Sequence, residues 1–385
     1  MAALVERCLG CAVRALTLLP AHRKVREKAL FVLHRMVDCL DVGMLPHLPG
    51  LFSLLLSLSS TPEDATSLLA FVNQVNLKYK LAAVPIIAPL LHPLVALVFR
   101  ALPAEGPQGA PTAAAAAGGG GGAAPGGGAA PGSGGSGGPL AVEGGVADQE
   151  ALRARLDVQK AYISFFSSLI ANATVTQVLA CPGNAPHLWE VLNSIIATAG
   201  SCHDASVAKS CVGFLLALVR GWVPTVAPPA TAAGAAPALA AAAPPLAAAI
   251  SPLPPPLFPD FLRYAVQQIG ARCVWAIVLG PSFDLSDAQN NLLLGDAVTL
   301  HATLALCVAG ATGGPSPALP LPPNAPSDAL ACIAGPAALA PFGVPQHIAA
   351  AYEMRLRSAV HQPKDARSAF IDVCKAMRAA NGLSS

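Results

Sequence analysis

From Phe31 to Pro49 the chain reads FVLHRMVDCLDVGMLPHLP, one amphipathic helix ending and another beginning within a few residues. Ala29, Val32, Leu33, Met36, Val37 and Leu40 fall at i, i+3, i+4, i+7, i+8 and i+11, one face of a 3.6-residue helix. Lys24, Glu27, Lys28, Arg35 and Asp38 occupy the other side. Gly43 is placed to supply the left-handed residue that ends such a helix, and Pro46 suits the first turn of the next. A helix with one apolar stripe must bury it against a neighbour. A chain that turns this tightly and repeats the pattern is expected to stack helix against helix.

The same periodicity predicts helices at about 2–18, 22–40, 45–58, 62–80, 82–101, 148–171, 184–199, 204–222, 257–279, 286–310, 326–340, 346–361 and 364–380. TPED marks the fourth start, with Thr61 as N-cap, Pro62 at the first helical position, and Glu63 and Asp64 in the first turn. No stretch of any length alternates with the period of a strand. Two successive helices with their turns take ~40 residues, the size of a HEAT-type unit. The expected fold is all-α, a HEAT-like α-solenoid interrupted by disordered Ala/Gly/Pro-rich loops, which have almost nothing to bury. The boundaries read as HEAT-like repeats over 1–102, a low-complexity insert over 103–147, repeats over 148–222, an Ala/Pro-rich insert over 223–256, a helix pair over 257–310, a short insert over 311–325, and C-terminal helices over 326–385.

Hydrophobic residues make up 54% of the chain, but much of that count is alanine in the inserts, which build no core. The ten cysteines lie scattered in apolar helical stretches, as at Cys39, Cys211, Cys307 and Cys374, and Glu6 and Arg7 interrupt any signal-peptide pattern. They are expected as reduced core thiols of a cytosolic or nuclear protein. Leu81–Phe99 carries no formal charge and is long enough to span a bilayer, but it contains His92, Pro85, Pro89 and Pro93 and lacks aromatic belts. A buried helical layer broken near Pro93 is expected instead, with no stable membrane insertion.

The residue types that carry chemistry do not assemble along the chain. Cys8 and Cys11 have C-x-x-C spacing, but no second pair completes a zinc set, so core packing is expected for them. Cys202, His203 and Asp204 collect nucleophile, base and acid types, yet they sit at a helix start, where Asp204 is a natural cap. The glycine runs from Gly118 to Gly122 and Gly126 to Gly128 lack both a preceding strand and a following Lys-Ser/Thr. The nine histidines show no ligand spacing. No catalytic residue, metal or cofactor is expected.

Charge is more informative. The net charge is only +2, but seven basic residues (Arg7, Arg14, Arg23, Lys24, Arg26, Lys28, Arg35) face two acids, Glu6 and Glu27, between Met1 and Val37. Arg355, Arg357, Lys364, Arg367, Lys375 and Arg378 repeat the bias near the C-terminus against Glu353, Asp365 and Asp372. Such clusters are either solvated helix faces or, on a solenoid, a track for a phosphate backbone.

Several stretches, in this order, resemble one family. They are FVLHRMVDCL and MLPHLP, LLAFVNQVNLKYK, PLVALVFRALP, QKAYISFFSSLIAN, AKSCVGFLLALVRGW, and FLRYAVQQIGARCVWAIVLGPSFDLSDAQNNLLLGDAV. Together they are similar to the C-terminal half of exportin-T, the tRNA exporters of the karyopherin-β superfamily. SFDLSDAQNNLLLGDAV is the most specific, although Asp284, Asp287, Asn290 and Asn291 also suit simple capping between two helices. The resemblance implies a carrier without chemistry of its own, shuttling between nucleus and cytoplasm and contacting nuclear pore proteins. It would bind mature tRNA together with a Ran-type GTPase in its GTP form, the GTPase held mainly by N-terminal repeats absent here. Under that resemblance Arg23, Lys24, Arg26, Lys28, Arg355, Arg357 and Lys364 are the expected tRNA contacts, and no family motif fixes them individually. The alternative reading is a generic HEAT-repeat scaffold that binds protein and no RNA.

Overall fold

The apolar stripes become two layers of helices in the computed structural model, which describes residues 2–102, 143–202, 204–223, 260–280, 282–312, 329–358 and 363–383. In chain order the helices are α1 (Ala2–Leu18), α2 (Arg23–Leu40), α3 (Leu48–Leu58), α4 (Pro62–Tyr79), α5 (Val84–Ile87), α6 (Leu91–Ala101), α7 (Glu143–Ala171), α8 (Val175–Leu179) and α9 (Leu188–Ser201). They continue as α10 (Ala205–Trp222), α11 (Phe261–Tyr264), α12 (Val274–Val278), α13 (Ala288–Thr312), α14 (Ala329–Ala334), α15 (Pro336–Leu339), α16 (Gln346–Arg357) and α17 (Pro363–Ala380). No strand occurs among the described residues. The expected inserts lie almost wholly outside them, as does His203; α7 begins at Glu143, five residues before the helix was expected to start.

Helices α2, α4, α7, α10, α13 and α17 pack side by side in that order as one layer, with the intervening helices returning behind them. Members of this layer run parallel. Arg26 meets Asp64 near the starts of α2 and α4, while Tyr79 reaches the Val37 carbonyl near their ends. Asn73 meets Ser164 and Asn76 meets Ser168 between α4 and α7, and Arg367 of α17 reaches the Asn291 carbonyl of α13. A single apolar core runs through the stack from Leu33 and Val37 by way of Phe71, Phe166 and Leu215 to Phe370. The architecture is an all-α solenoid.

Local starts follow the predicted chemistry. Thr61 accepts from the Asp64 backbone N–H at 3.2 Å and the Asp64 carboxylate accepts from the Thr61 N–H, a complete capping box with Pro62 in the first turn. Asp204 accepts from the Ser206 N–H at 2.8 Å at the start of α10. Asp287 accepts from the Gln289 N–H at 3.0 Å at the start of α13, and Asn291 donates to the Leu285 carbonyl.

Other details depart from expectation. Gly43 does not turn the first corner; Asp41 does, at φ +43°, with Gly43 and Pro46 inside a 3₁₀ helix (Asp41–His47) and Pro49 in the first turn of α3. Asp tolerates positive φ better than most residues, and Lys78 holds the Asp41 carboxylate at 3.0 Å. Thirty-nine positions later Lys80 makes the same kind of corner at φ +49°, again followed by 3₁₀ helix, so these two corners share backbone geometry without sharing a residue type.

Leu81–Phe99 is not one helix. Its breaks fall at the 3₁₀ turns Lys80–Ala83 and Ala88–Leu90, ahead of Pro93, which occupies the first turn of α6. Four described segments are apolar and long enough to cross a membrane by length and composition alone. In the fold, 50% of the most apolar window of Pro62–Ala101 is buried within the protein.

Among the cysteines, Cys211, Cys307 and Cys374 are core residues as expected, and burial raises the thiol pKa of Cys307 to about 11. Cys8, Cys11 and Cys39 are exposed, contrary to expectation. α1 packs chiefly on α2 and buries only the Leu9, Ala12 and Leu16 stripe, which leaves both of its thiols outside.

Of the expected helix over 257–279, residues 257–259 lie outside the described residues; the rest runs unbroken from Phe261 to Val278 and contains a π-helical stretch, Ala265–Cys273. Within it Gly270 lets α13 approach closely, since a Cβ there would lie 2.9 Å from Leu304 Cδ1 and 3.2 Å from Ile333. The Gly270 carbonyl accepts from His301 Nε2 at 2.9 Å, which fixes the tautomer, so His301 Nδ1 accepts from the Tyr352 hydroxyl at 2.7 Å. Trp275 and Phe370 close the cage around the imidazole.

Burial lowers the His301 pKa from 6.5 to about 4, so the unfolded chain binds a proton in that window that the native state refuses. Stability from this group is complete above pH 6.5 and declines as pH falls towards 4, by on the order of 3 kcal/mol. Urea melts across that range should show a shallower pH slope for His301→Gln than for the native protein; identical slopes would remove His301 as the source. Asn76 is fully buried and holds Ser168 at 2.8 Å, so Asn76→Ala should cost about 1–3 kcal/mol in the same melts.

Candidate nucleic-acid interface

A surface that follows a phosphate backbone needs cations that are exposed and not already committed to carboxylates. The expected tRNA contacts divide sharply by that criterion. Arg23 is exposed but pairs with Glu27 one turn along α2, at 2.8 Å. Arg26 is turned inward: its guanidinium reaches Asp64 at 2.9 Å, with both side chains only 14% exposed, and donates to the Pro20 carbonyl at 2.6 Å. Asp64 therefore caps α4 and anchors α2 with one carboxylate.

Lys24 and Lys28 are exposed one helical turn apart on α2, and no ion pair among the described residues engages them. They rim a groove between α1 and α2 whose opposite wall carries Leu4, Arg7 and Cys8. Val32, expected in the core stripe, lies in the same groove and is 39% exposed. Arg7 belongs with the two lysines. Its signal in the sequence was the seven-residue interval to Arg14, which puts both on one face of α1.

At the C-terminal end, Arg355 of α16 meets Asp365 of α17 at 3.3 Å, and Arg357 pairs with Glu353 one turn back in α16. Lys364 is exposed in the first turn of α17. Arg378 contributes nothing outward. It is 3% exposed, donates to the Val278 and Gly280 carbonyls at the end of α12, and lies over the Phe283 ring.

Lys24, Lys28 and Lys364 thus stand near the starts of the first and last helices of one parallel layer. The edge between them is not uniformly positive. Asp204 and Asp287 cap their helix starts on it, and Asp204 is held ionised by Lys160, whose ammonium at 2.8 Å pulls the carboxyl below its ordinary range. The arrangement offers two separated basic contacts with cap carboxylates between them.

The exportin-T family model matches residues 1–111 and 146–311. The chain is similar to exportin-T of Arabidopsis thaliana, 21% identical over 300 residues that cover 78% of this chain and 24% of that protein. It is also similar to exportin-T of Danio rerio, 25% identical over 295 residues (76% and 23%), and to that of Dictyostelium discoideum, 24% identical over 225 residues (57% and 17%). The chain spans about a quarter of the length of the curated relatives it matches. No solved structure matches it.

The two kinds of cation separate experimentally. Arg26→Ala should destabilise the fold by about 2 kcal/mol, since it leaves Asp64 partly buried without its partner. Lys24→Ala should leave the urea midpoint where it is. Equal effects of the two substitutions would mean that Arg26 carries no structural load.

Proposed function

Because the chain belongs to the exportin-T family, we propose that it forms part of a nuclear export receptor that carries mature tRNA from nucleus to cytoplasm through the nuclear pore. The observation that carries this reading is the family match, which runs through both helical blocks flanking the segment at 112–145. In this reading the cargo complex contains a Ran-type GTPase in its GTP form, and the receptor shuttles between the two compartments, contacting nuclear pore proteins on the way. Binding is linked: GTPase and tRNA each favour one curvature of the solenoid, so each raises affinity for the other. GTP hydrolysis on the GTPase removes that support and releases the cargo, which leaves the receptor itself no chemical step.

The two basic ends support an RNA surface. Folded tRNA presents A-form phosphate and ribose, which proteins recognise by shape and charge more than by base edges. Lys24 and Lys28 at one end and Lys364 at the other are exposed and suit such contacts, with Arg7 across the groove from the first pair. Arg23, Arg355 and Arg357 would have to exchange their carboxylate partners for phosphate, and Arg26 would have to release Asp64.

The test is recovery of the protein from cells with GTP-locked GTPase, followed by sequencing of the retained RNA. Mature tRNA should be enriched and should dissociate after GTP hydrolysis. In direct binding, Lys24→Glu with Lys28→Glu should weaken tRNA binding roughly tenfold and flatten its salt dependence by one to two counter-ions. Recovery of protein partners with no tRNA would overturn the reading in favour of a protein-binding scaffold.

A further inference from the structure

The nine histidines show no ligand spacing along the chain, yet the fold brings two of them together with a carboxylate. His92 stands in the first turn of α6, His187 ends the 3₁₀ turn Ala185–His187, and Glu190 lies in the first turn of α9. One ligand atom from each lies within 4.8 Å of the other two. The two imidazole centroids are 4.1 Å apart, and His187 Nδ1 is 3.0 Å from Glu190 Oε2. We propose that His92, His187 and Glu190 bind a divalent late first-row transition metal, with Zn²⁺ as the ion to test.

The donor set selects the class of ion. Two imidazole nitrogens and one carboxylate suit Zn²⁺ and its neighbours, whereas Mg²⁺ and Ca²⁺ prefer oxygen alone. The spacing is close to what the ion needs. Two ligands at 2.0–2.2 Å on a tetrahedral metal are separated by about 3.3–3.6 Å, so the His187–Glu190 pair, at 3.0 Å, has only to open by a few tenths of an ångström. His92 is exposed and His187 half-exposed, so small side-chain rotations can close the remaining distance. Three protein ligands leave a fourth position for water.

The backbone beneath the cluster is already fixed. Asn184, buried and three residues before His187, donates to the Ala88 carbonyl at 2.7 Å and the Val178 carbonyl at 2.8 Å. Ala88 lies four residues before His92, so the two imidazoles rise from segments tied to each other at their roots. A metal ion there staples the helical block that ends at 102 to the block that begins at 143 and raises the stability of the junction by binding only the folded state.

The experiment titrates chelator-stripped full chain with Zn²⁺ by calorimetry and with Co²⁺ by visible absorption. Cys8→Ser, Cys11→Ser and Cys39→Ser are carried in every sample so that the exposed cysteines do not compete. One ion per chain is expected, with the intense absorption of tetrahedral Co²⁺ and a rise in Tm on Zn²⁺ addition. His92→Ala and His187→Ala should each weaken binding at least tenfold, Glu190→Gln should weaken it less, and the distant His347→Ala should bind as the parent does. Circular dichroism confirms that each variant keeps its helices. No Zn²⁺ uptake by the parent, or uptake that survives in a His92→Ala, His187→Ala double variant, would overturn the proposal.

Discussion

The packing of α4 on α7 is the contact on which the rest of the solenoid depends. These helices lie on opposite sides of the segment at 103–142, so their register cannot be set by a short turn. It is set by a buried polar seam. Asn76 donates to the Ser168 hydroxyl and its amide oxygen accepts from the Thr174 hydroxyl, while Asn172 donates to the Asn76 backbone carbonyl. Apolar surfaces such as Phe71 and Phe166 tolerate sliding at modest cost; a buried amide does not, because a slip leaves it without partners. Once α4 and α7 are aligned, α10, α13 and α17 continue the same layer, and a long insertion at this point leaves the stack intact.

The same economy of contacts divides the charges. Cations at the interior edges of the stack hold elements together: Arg26 joins α2 to the cap of α4, Lys160 joins α7 to the cap of α10, and Arg378 closes the end of α12. What remains outward is a smaller set, with Lys24, Lys28 and Lys364 at the ends of one layer. A net charge of +2 therefore understates the field at the two ends and overstates it along the middle, where Asp204 and Asp287 serve as caps. Long-range attraction of a polyanion at such a surface is directional, strongest where the unpaired lysines stand.

Much of the fold was legible because helix periodicity and capping are local signals. The α2 stripe, the Thr61 cap and the Asp204 and Asp287 caps need only a few neighbouring residues to specify them. The features that were not legible are those decided by partners far along the chain. Asp41 and Lys80 adopt positive φ without being glycine, so no residue type marks the two corners in the sequence. Gly270, inside the π-helical stretch, is packed against Leu304 and Ile333, which lie more than thirty residues away. In the candidate interface, composition found the basic clusters but could not tell Arg26, held by a carboxylate 38 residues away, from Lys24 two positions before it. The approach of His92 to His187 is equally non-local.

Where a protein of this kind can act is constrained by what its core does to titratable groups. His301 is held neutral by burial, Tyr162 is enclosed with its hydroxyl on Ser194 and its ionisation pushed well up, and burial keeps Cys211, Cys273 and Cys374 protonated. Each has a packing or hydrogen-bonding role, and none of these groups opens to solvent. A thiol raised in this way is a poor nucleophile, and a histidine that refuses a proton above pH 4 is a poor base near neutrality. The reactive residue types inside the stack are thus rendered inert by the burial that makes the stack stable. The outer surfaces are different: there Lys24 and Lys28 rim a groove, His92 is exposed and His187 is half-exposed, so the groups free to meet a partner stand on the exterior of the solenoid.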